Sequence, residues 1–115
     1  MATVLIDARN VLRSRWPNLE EQELVDRVRV WAERHGHRVV LVFDGRAPGE
    51  VVGEEEIDER TTLVGSGAES ADEWLVRETP RHPDAWLVTS DRALREAAGA
   101  QRVTGGGSFL EELEE

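Results

Sequence analysis

Two apolar runs, Thr3-Val4-Leu5-Ile6 and Val39-Val40-Leu41-Val42-Phe43, each lead straight into an aspartate, Asp7 and Asp44. Neither run alternates apolar with polar residues. A strand of that kind is covered on both faces, as strands are in parallel sheets clothed by helices on each side. Between the two runs, Leu24, Val28, Trp31 and His35 recur at helical spacing, flanked by Val25 and Ala32, and Gly36 stands where a helix ends. Strand, helix and strand in this order make a right-handed βαβ unit. Asp7 and Asp44 are therefore expected side by side on the carboxyl edge of the sheet, where open α/β sheets bind their ligands.

The rest of the chain continues the pattern. Val11 to Asn18 reads as a loop or broken helical turn, with Asn18 capping the helix that follows. Arg46 to Glu59 carries Pro48, Gly49 and Gly53 and reads as a long loop. Thr61 to Val64 is a short third strand, and a helix over Glu69 to Glu78 follows, with Ser70 as its cap. Ala85 to Thr89 forms a fourth strand that ends in Ser90-Asp91, and a helix from Asp91 through Ala98 stops at Gly99. Gln101 to Thr104 is a short fifth strand, Gly105-Gly106-Gly107 a flexible turn, and Ser108 the cap of a last helix. The expected architecture is one α/β domain over residues 1–115, a central parallel sheet of about five strands with helices on both faces. Trp31, Trp74 and Trp86 fall on inward faces. Trp16 has two readings, stacking on an unpaired base or packing within its loop, and packing is preferred.

Composition removes several chemistries. The 115 residues include no Cys, and all 14 basic residues are Arg. Thiol chemistry, Cys-ligated zinc, Walker-type phosphate binding, Schiff bases and a phosphotransfer receiver's lysine are thereby excluded. A dehalogenase-type phosphatase needs an acid two residues after the first Asp, where Arg9 stands. His35 and His37 flank the end of a helix and lack a nearby third ligand, so they read as helix-end side chains rather than a metal site. The net charge of −10 speaks against a sequence-blind nucleic-acid binder. Yet the acids concentrate in Glu54 to Glu59 and in the tail, while Arg9, Arg13 and Arg15 cluster next to Asp7. No stretch is long and apolar enough to span a bilayer, and a cytoplasmic location is expected.

Asp7, Asp44 and Asp91 stand at or just after strand ends, and Asp72 stands in the first turn of a helix. A parallel topology brings all four to one edge. Carboxylates crowded in a crevice repel one another, and a hard divalent cation, Mg²⁺ or Mn²⁺, relieves that repulsion. Such a site activates water and stabilises a departing phosphate oxygen.

The segments IDARN, LVFDG, ESADEWL and VTSD, in this order and at these intervals, resemble the NYN domain family of PIN-like ribonucleases, particularly its YacP-like branch. The resemblance spans about Val4 to Gly107. It implies a PIN-like fold and metal-dependent cleavage of RNA, with single-stranded RNA the expected substrate and pairing of the chain with itself left open. Asp7, Asp44, Asp72 and Asp91 would form the acidic, metal-holding cluster. Asn10 would orient the first acid or bond a phosphate, and Thr89 and Ser90 would support the cluster. Ala8-Arg9 replaces the usual Gly-Tyr, and Arg9 can take the aromatic residue's place by pairing with a phosphate. Arg13, Arg46 and Arg92 are further candidates for gripping the substrate, although Arg46 and Arg92 can instead neutralise the acids beside them. Two alternatives remain: a catalytically weakened domain of this fold that binds RNA or a protein, and a PIN-type toxin countered by an antitoxin.

Overall fold

β1 (Thr3–Asp7) and β2 (Arg38–Phe43) lie parallel, in a register that sets Asp7 opposite Val42, in a computed structural model that describes residues 2–115. Asp44 follows two residues past that pair. The sheet has six strands in the order β3-β4-β2-β1-β5-β6, adding β3 (Gly53–Glu56), β4 (Thr61–Gly65), β5 (Ala85–Val88) and β6 (Arg102–Thr104). All neighbours are parallel except β3 on β4. Five helices connect them: α1 (Ala8–Arg13), α2 (Glu21–His35), α3 (Ala71–Glu78), α4 (Arg92–Ala98) and α5 (Gly106–Leu113).

The absence of alternation in the strands has its expected cause. Val4 and Ile6 join Leu24, Val28, Trp31 and Phe109 in a core under α1, α2 and α5. Leu5, between them, points to the other side and packs with Val42, Trp74, Leu75 and Leu94 under α3 and α4. Both faces of β1 are thus apolar because both are buried. Trp31, Trp74 and Trp86 are buried as expected, and Trp31 meets Trp86 and Phe109 edge-on at 5.5 and 5.0 Å. Among the described residues no helix is long and apolar enough to cross a membrane.

Five sequence expectations are corrected. The stretch from Arg46 to Glu59 is not simply a loop, because Gly53–Glu56 forms β3 against β4, with all four residues exposed. Glu is a poor strand former, so nothing local announces this strand; β4 supplies a free edge and its backbone donors and acceptors do the rest. Three carboxylates on the new outer strand then discourage pairing with another sheet. This is also why the sheet counts six strands rather than five. Val11 to Asn18 is not a loop throughout, since α1 starts directly after Asp7 and runs to Arg13. Glu20, not Asn18, is the N-cap of α2; Asn18 turns its amide to the carbonyls of Leu12 and Arg15, at 2.8 Å each. Finally, the three glycines before the last helix are not a flexible turn: Gly105 is the N-cap and α5 begins at Gly106, ahead of Ser108.

Close approach explains one glycine directly. A Cβ on Gly65 would lie 2.1 Å from the Val51 carbonyl oxygen and 2.8 Å from that of Gly45. Only glycine lets the Ala47–Val51 bridge fold back over the end of β4, next to Asp44.

Candidate active site

Asp7 is the residue around which the carboxyl edge is built. Only 6% of its surface is exposed, because it ends the central strand β1 and the first turn of α1 closes over it. The fully buried Thr89, just past the end of β5, donates its hydroxyl to Asp7 Oδ2 at 3.1 Å. The same hydroxyl oxygen accepts the Asp91 backbone N–H at 3.2 Å. Asp91 in turn caps α4, its Oδ1 accepting from the Leu94 N–H at 3.1 Å. One threonine therefore fixes two of the four acids relative to each other, and it holds its place through its own carbonyl, which accepts from Arg95 Nε at 2.8 Å.

Asp44 comes from the neighbouring strand. Its Oδ1 accepts the Ala71 N–H at the start of α3, at 2.9 Å, which draws that helix and Asp72 to the same edge. Ser70 and Glu73 close a capping box there, so Asp72 occupies a well-formed first turn with its side chain exposed. Arg9 Nε stands 3.5 Å from Asp44 Oδ2.

The electrostatics follow from this crowding. Burial, opposed by the Thr89 hydroxyl and the Asn10 backbone N–H and assisted by the charges of Asp72 and Asp44, pushes the Asp7 carboxyl up to about 6. Asp72 is also raised, by desolvation and by the charges of Asp91 and Asp44. Each of the four acids thus takes part in this mutual field. Asp7 has no Arg or His partner among the described residues. Neither, however, are any three His or carboxylate side chains among the described residues arranged to hold a common ion. Asp44 leans on Arg9 and Ala71, and Asp91 caps its own helix, so the four stand along one edge of the sheet without forming a common cage. Hard oxygen donors in mutual repulsion fit a divalent cation held through one or two carboxylates and water, the habit of Mg²⁺ sites.

The remaining candidates separate. Asn10 does not point its amide oxygen at Asp7: that oxygen accepts the Ser90 N–H at 2.9 Å, while Ser90 Oγ accepts from the Gly106 N–H at 2.9 Å. Asn10, Ser90 and Gly106 tie α1, the loop before α4 and α5 into one knot beside the acids. Arg46 pairs with Glu50 rather than with Asp44. Arg13 and Arg92 are exposed and pair with no carboxylate among the described residues. The sequence reading missed the double role of Thr89 and the need for glycine at 106. A run of three glycines was the available signal for a close approach.

The knot allows a direct test. A Cβ on Gly106 would lie 2.5 Å from Asn10 Oδ1 and 3.1 Å from the Asn10 carbonyl oxygen. Gly106→Ala is therefore expected to lower stability by about 1–3 kcal/mol, read as a lower urea midpoint at unchanged slope. An unchanged midpoint would mean that Asn10 swings away freely and that the knot is not rigid.

Comparison with known proteins follows the same geometry. The chain folds like two crystal structures of Rae1 (YacP) from Bacillus subtilis. A mutant form gives a TM-score of 0.74 at 21% identity, covering 99% of this chain and 76% of that one. The second structure gives 0.72 at 20% identity, covering 99% and 74%. No curated protein matches the sequence. The family model for the YacP-like NYN domain matches residues 4–115. The chain therefore belongs to the YacP-like NYN domain family, a family of nuclease type with a PIN-like fold.

Proposed function

We propose that the chain is a divalent-metal-dependent ribonuclease that hydrolyses phosphodiester bonds of single-stranded RNA at the edge formed by Asp7, Asp44, Asp72 and Asp91. The observation that carries this reading is Asp7, a buried carboxylate facing other carboxylates with no cationic side chain paired to it among the described residues. A structural role does not call for such a group, since burying an unpaired charge only costs stability. Groups with strongly shifted protonation are characteristic of working sites.

The four acids are the residues that would hold Mg²⁺ or Mn²⁺. When bound, the cation supplies the positive charge that activates water and stabilises the departing oxygen. The chain's own residues do the rest. Thr89 keeps the carboxylates of Asp7 and the backbone of Asp91 in fixed relation. Asn10 and Ser90 hold the rim. Arg9 offers a guanidinium to a phosphate while leaning on Asp44, and Arg13, Arg46 and Arg92 extend the grip.

A second reading, a binding module of the same fold without metal chemistry, is favoured by one observation: Arg9 already partly neutralises Asp44. Cleavage of an end-labelled single-stranded RNA separates the two. The ribonuclease cuts in Mg²⁺ or Mn²⁺ and stops in EDTA, whereas the binding module retains RNA and leaves it whole.

A further inference from the structure

Three of the four tryptophans are buried, but Trp16 is 86% exposed, the most exposed of the large hydrophobic residues. The packing expected for it from sequence is absent. An indole left in water forgoes the stabilisation that burial would bring. The loop that carries it is nevertheless anchored. Ser14 Oγ donates to the Val11 carbonyl at 2.6 Å, the Asn18 amide reaches the Leu12 and Arg15 carbonyls, Arg15 pairs with Glu114 just past the end of α5, and Leu19 packs against the core. Trp16 is held out into solvent by a fixed frame.

Its position is as informative as its exposure. Arg9 and Arg13 are four residues apart on α1 and share one face of that helix. Arg9 reaches Asp44, so this face leads away from the acidic edge. Arg13 follows with no carboxylate partner among the described residues, and Trp16 lies three residues further on. Six helical residues and three loop residues place Trp16 within about 20 Å of Asp7. Aromatic faces beside basic groups are how proteins hold single strands, because every unpaired base offers a face to stack on. In a chain of net charge −10, general attraction to phosphate is unavailable, so grip must come from such local features.

We propose that Trp16 is the stacking platform for an unpaired base of the RNA strand that runs over Arg13 and Arg9 to the acidic edge, so that Trp16 confines the substrate to single-stranded segments. This rests on the ribonuclease reading above. Bases inside a duplex are stacked on both faces and offer Trp16 nothing.

Steady-state cleavage of a single-stranded RNA in Mn²⁺ by the native chain, Trp16→Ala, Trp16→Leu and Trp16→Phe tests this. Trp16→Ala and Trp16→Leu are expected to raise KM about tenfold or more with kcat within about twofold, while Trp16→Phe stays near native. All three should melt within about two degrees of native, because the side chain packs on little. Native cutting with KM unchanged in Trp16→Ala overturns the stacking role and leaves the ribonuclease reading standing. Rescue by Trp16→Leu as full as by Trp16→Phe overturns it as well, since leucine has no π face and would mark an ordinary apolar contact, such as one with a protein partner. If the native chain cuts no RNA, both readings fall together.

Discussion

Asp7→Asn should abolish turnover and at the same time make the fold more stable. Asparagine keeps the shape and still accepts the Thr89 hydroxyl at its amide oxygen, but it carries no charge. Loss of a group that merely supports a metal ligand costs about 10–100-fold, so loss of the central carboxylate should reduce cleavage by at least about a hundredfold. The gain in stability comes from the same carboxyl. Its pKa is raised from 3.8 to about 6, chiefly by burial, so above pH 6 the folded chain carries a charge that it would shed if it could. A shift of that size corresponds to about 3 kcal/mol of destabilisation at pH 7–8, which the asparagine removes. Urea unfolding at pH 8 alongside RNA cleavage checks both halves. A variant that is inactive and also less stable would show that Asp7 is structural, with its loss of activity secondary.

The pH dependence of stability provides the second large effect. A carboxyl with a raised folded pKa binds its proton more tightly in the folded state than in the unfolded chain. The penalty is absent below about pH 4, grows as pH rises through the interval between 3.8 and about 6, and is complete above it. Asp72 is raised as well and acts in the same direction. Native stability relative to Asp7→Asn should therefore fall by about 3 kcal/mol between pH 4 and pH 7 in the absence of divalent cations. Mn²⁺ at about a hundred times its dissociation constant should restore most of this at pH 7, by roughly 2.7 kcal/mol, and should give Asp7→Asn about half as much or less. Parallel curves for the two proteins at all pH values would mean that Asp7 titrates normally.

The fold was legible where burial and sequence agree. Val4 to Ile6 and Val39 to Phe43 announced themselves because each strand is covered on both faces, and the four acids reached one edge because parallel topology leaves them nowhere else. Gly36 and Gly99, both left-handed at helix ends, marked their boundaries. Illegible features depend on contacts distant in sequence. β3 exists because β4 offers an open edge, not because Gly-Glu-Glu-Glu favours extension. The knot of Asn10, Ser90 and Gly106 joins residues up to 96 positions apart, counting from 10 to 106. Ion-pair choice was equally hidden: adjacency suggested Arg46 for Asp44, but Arg46 turns to Glu50, and Arg9 reaches Asp44 from just past the end of the neighbouring strand. Trp16 looked like packing because most tryptophans are packed; only the finished loop shows it facing water.

Direct binding of Mn²⁺ to the native chain and to Asp7→Asn, followed by the loss of the free-ion resonance signal at pH 7.5, bears most immediately on the claim that this edge is a metal-dependent nuclease site. The nuclease reading predicts saturable binding to the native chain that weakens at least about tenfold in Asp7→Asn, and competition by Mg²⁺. Binding that is absent from the native protein, or identical in the two, would contradict it and leave the four carboxylates as neighbours without a shared task.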